Sequence, residues 1–406
     1  VSAAQGSIEG PASWRAAIGA LLVLSVTYGA PLIVVVALKP IAADLGVPRS
    51  VPALAAALAA FGTGLGGILM GWLAERLGTR AIAFTGGIAV AAGLALTTLG
   101  TPLALYIGMG ALLGLLGNGS MNAPLMTYVS RWFDRRRGTA LALVTSGQYI
   151  AGVLWPAFFE RGIALIGWRQ TALAFACVVL ATVLPIALIF LRPAPAAPPP
   201  GRIGGGPAAG PVLGMNPNLV LFLLALAICL CCIPMAQPSV HLVSFCTDIG
   251  ISPARGAAML STLLACAFVS RQFWGWVGDR IGGLRTILLG SAAQAIALSL
   301  FLTTQNEANL FAISAAFGLG FAGIVPSYVL AARELFPAAE AGWRIPVLLF
   351  GGLIGMATGG WMGGLIYDAT GTYTASFQLG VLANVANLLV IGFLISRGRF
   401  RREAWA

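Results

Sequence analysis

Gly71-Trp72-Leu73-Ala74-Glu75-Arg76-Leu77-Gly78-Thr79-Arg80 and Gly275-Trp276-Val277-Gly278-Asp279-Arg280-Ile281-Gly282-Gly283-Leu284-Arg285 are two copies of one pattern, Gly-x-x-x-acid-Arg-x-Gly-(x)-x-Arg. Their leading glycines stand 204 positions apart in a chain of 406 residues. Arg131 and Arg333 stand 202 apart and extend the correspondence. A unit of half the chain length is therefore expected to be duplicated.

Each copy joins two long apolar stretches. Hydrophobic residues make up 59% of the chain and charged ones 9%, and the mean hydropathy is +0.92, the composition of a membrane protein. Twelve stretches are long enough to cross a hydrocarbon layer of ~30 Å as helices. They fall near 14–38, 52–75, 81–100, 103–130, 138–159, 168–191, 218–245, 252–278, 286–304, 308–332, 344–366 and 374–396. The expected fold is an all-α integral membrane protein, twelve transmembrane helices in two six-helix bundles (14–191 and 218–396). Flanking them are a short tail (1–13) with no cleavable signal peptide, a Pro/Gly-rich linker (192–217) and a basic tail (397–406). The linker contains Pro-Ala-Pro-Ala-Ala-Pro-Pro-Pro and cannot bury a core.

Basic residues accumulate on the cytoplasmic side of membrane proteins. With both termini inside, seventeen of the 23 lysines and arginines fall in cytoplasmic segments, and five (Lys39, Arg49, Arg161, Arg169 and Arg255) on the opposite side. This orientation accounts for the net charge of +11 through loops facing anionic headgroups, with no nucleic-acid partner. The six cysteines all lie in apolar segments and read as small hydrophobes. Cys229, Cys231 and Cys232 cluster, but with one histidine in the chain they predict neither a metal site nor a disulfide framework. No cofactor is expected.

The duplicated turn resembles the signature loop of the major facilitator superfamily, in which two six-helix bundles rock about a midplane site. Further motifs are similar to monocarboxylate porters. Arg131-Trp132-Phe133-Asp134-Arg135-Arg136-Arg137-Gly138-Thr139-Ala140 resembles the opening of their fifth helix. His241-Leu242-Val243 with Thr247-Asp248-Ile249-Gly250-Ile251 resembles their seventh, Val269-Ser270-Arg271 the eighth, and Asp368-Ala369-Thr370-Gly371-Thr372-Tyr373 the turn before the twelfth. The resemblance implies a bacterial relative of lactate and pyruvate transporters, in a group that shades into oxalate/formate exchangers. It also implies a cytoplasmic latch of Gly71, Glu75, Arg76, Arg80, Arg131, Asp279, Arg280, Arg285 and Arg333.

The 23rd basic residue, Arg271, lies inside an uncharged stretch from 256 to 278. Eight residues from Asp279, it sits ~12 Å from the cytoplasmic helix end. A guanidinium there keeps its charge and matches a carboxylate with paired hydrogen bonds. The eleventh segment, Leu348 to Ile366, carries no basic residue, whereas the resemblance implies a lysine there in oxalate exchangers. The lysine that animal relatives carry after a proline in the first helix is also absent, since Pro31 is followed by Leu32. One fixed cation fits one carboxylate, so a small monocarboxylate is favoured. Asn118, Asn122, Tyr28, Gln148, Tyr149, Gln272 and Trp361 are further substrate-contact candidates. The polar ones read equally as hydrogen bonding between helices.

Arg271 cannot release a proton at physiological pH. The single histidine, His241, is the candidate proton carrier or outer gate, with Asp248 or Asp368 as partner; a neutral histidine bonded between helices is the alternative. The expected function is transport of a small organic monoanion, with proton symport, by a monomer in a bacterial inner membrane. The alternatives are an anion exchanger, an efflux pump or a non-transporting receptor. No nucleophile–base or metal constellation suggests an enzyme.

Overall fold

The structure, a computed structural model, describes residues 9–133, 136–192 and 211–403. Most of the 192–217 linker, Asp134, Arg135 and the first residues of the N-terminal tail lie outside them. Twelve apolar helices follow one another: α1 (Pro11–Val36), α2 (Ser50–Leu77), α3 (Thr79–Thr97), α4 (Pro102–Ser130), α5 (137–166), α6 (168–190), α7 (Pro217–Asp248), α8 (Pro253–Ile281), α9 (Gly283–Leu300), α10 (Glu307–Leu335), α11 (Ala338–Thr370) and α12 (Thr374–Glu403). Helices α5 and α6 run into each other at Gly167, whose φ of 80° and ψ of 164° no other residue type adopts readily.

Local sequence sets the helix starts. Thr101-Pro102, Asn216-Pro217 and Ser252-Pro253 each pair a capping side chain with a proline in the first turn. The side-chain oxygens accept from Ala104 N, Asn218 N and Arg255 N, satisfying otherwise orphaned donors. Helix α1 breaks at Tyr28-Gly29-Ala30-Pro31 because the proline lacks an N–H. Gly29 there lies against the Trp155 ring, and Trp155 Nε1 donates to Ser25 O at 2.7 Å.

The chain divides into two compact units, residues 1–47 with 58–201, and residues 48–57 with 202–406. The first turns of α2 thus belong with the second unit. In the first unit, α4 is wound as a π-helix over Ile107–Asn118. Its glycines press against backbone: a Cβ on Gly108 would meet Gly93 O of α3, and one on Gly114 would meet Ala59 O of α2. In the second unit, Gly351, Gly355 and Gly359 of α11 back onto the carbonyls of Ala225, Cys229 and Ile233 of α7. This four-residue ladder of small residues brings the two helices into backbone contact.

Tyr373, just before α12, continues the face that Ser376, Gly380, Asn384 and Asn387 of α12 form at spacings of three and four. At its inner half that face is fully hydrogen-bonded. Tyr328 Oη donates to Asn387 Oδ1 (2.6 Å), Asn387 Nδ2 to Ser291 Oγ (2.9 Å), Asn384 Nδ2 to Ser291 O (3.1 Å) and Gln294 Nε2 to Cys231 O (3.4 Å). These side chains are buried, so each bond replaces one that water would otherwise supply. Of the cysteines, Cys231, Cys232 and Cys246 are buried as expected, but Cys177 is exposed, its side chain on the outward face of α6.

Candidate functional site

Arg271 is half-buried on α8. Its helix is fixed locally by two donors that converge on one carbonyl, Ser270 Oγ (2.6 Å) and Trp274 Nε1 (2.8 Å), both to Leu319 O of α10. That pair settles which face of α8 is packed and leaves Arg271 at its margin. Gln272, next in sequence, is exposed, and Trp361 of α11 is 38% exposed.

In the first unit, Tyr28 and Asn122 share a side-chain hydrogen bond. Asn118, the last residue of the π-helical stretch, is 1% exposed, and its Oδ1 meets no donor among the described residues. Such an orphan acceptor is unusual in a folded chain, and π-helical segments recur at functional positions. Gln148 and Tyr149 of α5 are half-buried.

His241 is fully buried, and its Nε2 lies 2.7 Å from Gly360 O. A carbonyl can only accept, so Nε2 carries the proton and Nδ1 presents a lone pair, which has no partner among the described residues. The ring packs 5.1 Å from that of Tyr373. Asp248 and Asp368, the acids considered beside it in the sequence, are engaged with a different residue, Arg49.

Arg49 was legible in the sequence only as one of five outer charges. Its guanidinium donates to both carboxylate oxygens of Asp248, the Nη2–Oδ1 bond being 2.8 Å, and to Tyr373 Oη at 3.2 Å. It also lies 3.7 Å over the Tyr367 ring. Asp368 accepts from the backbone N–H groups of Arg49 (2.8 Å) and Ser50 (2.9 Å), capping α2 from 319 residues away in sequence. Burial works against the Arg49 charge, and the bonds to Asp248 and Tyr373 outweigh it, holding its pKa above the ordinary arginine value. Burial also pushes the Tyr373 hydroxyl up to about 12, against the opposing bond from Arg49. The result is a bidentate clamp that ties the start of α2 into the second unit. At the outer end of the first unit, Arg169 (2.8 Å) and Trp168 (3.0 Å) hold Asp44.

The duplicated turns have matching geometry. Arg76 lies 3.8 Å over the Trp72 ring, and Arg280 lies 3.9 Å over that of Trp276. Gly78 and Gly282 both have positive φ, 86° and 82°, whereas nothing lies within 4 Å of a Cβ placed on Gly71 or Gly275. Glu75 approaches Arg131 at 3.9 Å. In the second copy Glu334 accepts from Gly283 N at 2.9 Å, while Asp279, Arg280, Arg285 and Arg333 are exposed. A cavity of about 640 Å³ in the first unit is bordered by Glu75, Gly78, Arg80, Tyr128, Arg131 and Arg192.

The family model described as Major Facilitator Superfamily matches residues 16–270 and 235–404. The chain belongs to the Major Facilitator Superfamily. It is 29% identical over 339 residues to Monocarboxylate transporter 13 of Bos taurus, covering 81% of this chain and 76% of that protein. It is 26% identical over 345 residues to Monocarboxylate transporter 11 of Homo sapiens, covering 79% and 70%. Among solved structures, a peptide transporter in complex with alafosfalin superposes with a TM-score of 0.74 at 16% identity, covering 95% of both chains. The chain is therefore a multi-pass superfamily transporter resembling the monocarboxylate family, and not an enzyme.

Proposed function

We propose that this superfamily member is a secondary active transporter of a small monocarboxylate, lactate- or pyruvate-like, moving it with a proton by alternating access. It would sit in a bacterial cytoplasmic membrane with both termini inside. The observation that carries the reading is Arg271, a permanent cation on a membrane-spanning helix whose packed face is pinned at Leu319 O by its neighbours Ser270 and Trp274. A half-buried guanidinium binds a carboxylate through two charge-assisted hydrogen bonds. With no basic residue between 348 and 366, the charge balance favours one carboxylate over two. The names of the relatives in cattle and humans agree with that substrate class.

Uptake of labelled lactate or pyruvate into proteoliposomes, with and without an inward proton gradient, tests the reading. Accumulation driven by the gradient and lost in Arg271→Ala is expected. Full activity of Arg271→Ala would remove the anchor. Uptake only into anion-preloaded vesicles, indifferent to the gradient, would make the protein an exchanger.

A further inference from the structure

Helix α7 carries Gln237, His241, Ser244 and Asp248 at spacings of four, three and four, one stripe along the helix. It faces the outer half of the polar face of α12: the His241 ring packs on Tyr373, and Gly380 lies against Gln237 Oε1. Ser376 stands between those two positions. Gln237, His241 and Ser376 are 0% exposed and Ser244 2%. Among the described residues, five of their polar atoms have no hydrogen-bond partner: Gln237 Oε1 and Nε2, His241 Nδ1, Ser244 Oγ and Ser376 Oγ. Ser244 Oγ lies beside the Tyr373 hydroxyl without meeting bonding geometry. The inner half of the same α12 face, around Asn384 and Asn387, satisfies its polar groups internally.

An apolar seam would pack as well without these residues, and a structural seam would pair them, as the inner half does. Leaving five buried polar atoms unpaired is costly, so this stretch is built for an occupant. The set mixes donors and acceptors: an amide NH2, an amide oxygen, two hydroxyls and an imidazole lone pair. A metal cation would find the amide N–H groups repulsive and no carboxylate among them. Water donates and accepts, and fits every member.

We propose that the α7–α12 seam from Ser244 to Gln237 holds a chain of ordered waters through which His241 Nδ1 exchanges protons with the outer surface. Nε2–H stays bonded to Gly360 O, and Nδ1 takes a proton from a water and returns it along the same chain. Gln237 is eleven residues from Asp248, so the seam reaches ~16 Å inward. The charged and titratable groups around His241 are Arg49, Asp248 and Asp368 at its outer end and Tyr373 beside the ring, so the Arg49 clamp closes the mouth of the chain. The proton-carrying part rests on the symport reading; the hydration does not.

Radiolytic hydroxyl labelling of the full protein in nanodiscs reads bound water directly. The peptides spanning 237–244 and 373–380 are expected to label in the wild type and to lose that labelling in Gln237→Leu and Ser376→Val. Labelling of these peptides that is absent in the wild type, or unchanged in both variants, would overturn the hydrated seam. An unfolding temperature raised by sodium chloride but not by choline chloride would instead identify a cation as the occupant and also overturn it. In proteoliposomes with an internal pH dye, substrate-driven proton uptake is expected to fall to the level of empty vesicles in His241→Gln and in both seam variants. Wild-type proton uptake in the seam variants would overturn the route. No proton uptake by the wild type would overturn the symport reading, and the labelling would then decide the seam by itself.

Discussion

At the scale of single residues, the outer clamp is the main structural finding. Arg49 and Asp248 are 12% and 19% exposed, buried enough that removing one partner leaves the other poorly solvated. Arg49→Ala is expected to destabilise the protein by about 1–3 kcal/mol. A double-mutant cycle with Asp248→Ala, read by unfolding in detergent, should give a coupling of about 1 kcal/mol or more. Additive single effects would show that the two do not interact. Tyr373 adds a pH signature. Its hydroxyl is raised from 10.0 to about 12 in the folded protein, so it contributes stability that is full below pH ~10 and lost as the pH rises towards ~12, by about 2 kcal/mol. Wild type minus Tyr373→Phe, compared across that alkaline window, isolates the contribution; parallel stability curves would refute it. Arg271 was legible in the sequence because a charge in an uncharged stretch announces itself. Arg49 was not, because a charge beside a proline in a loop looks solvated and its partners are 199, 319 and 324 residues away.

At the scale of helices and turns, the sequence disclosed the repeat but not which of its glycines bears the constraint. The leading glycines, Gly71 and Gly275, have open space where a side chain would go. Gly78 and Gly282, closing each turn, hold positive φ, where a side chain meets its own backbone. Gly78→Ala is therefore expected to cost about 1–3 kcal/mol even though its Cβ would touch nothing, and Gly71→Ala to leave the unfolding midpoint unchanged. The reverse ranking in thermal unfolding would show that the turn relaxes. Helix positions followed from apolar length, and the α5–α6 break fell where the apolar run paused near Gly167. The π-helical winding of α4 could not be read in advance. Within it Gly108 and Gly114 lie against the backbone of Gly93 and Ala59, long-range contacts that no local pattern encodes.

At the scale of the whole molecule, the duplicated sequence resolves into two compact units, with the start of α2 assigned to the second through contacts that only the folded chain creates. What such a transporter binds is decided by net charge as much as by shape. A site with one fixed cation is neutralised by one carboxylate, whereas a dianion would leave a net negative charge in a medium of low dielectric. A ligand that binds only the folded state raises stability by mass action, by about 2.7 kcal/mol at a hundred times its dissociation constant. Acetate, pyruvate, lactate and valerate, added in turn to the purified protein, are expected to raise the unfolding temperature in an order set by fit to the pocket. On the proposed anchoring by Arg271, Arg271→Ala should lose every shift. Oxalate at equal concentration should do no better than the weakest monoanion. If oxalate were the strongest stabiliser, a second cation would have to face the site, and the charge argument built on the uncharged stretch of α11 would fail.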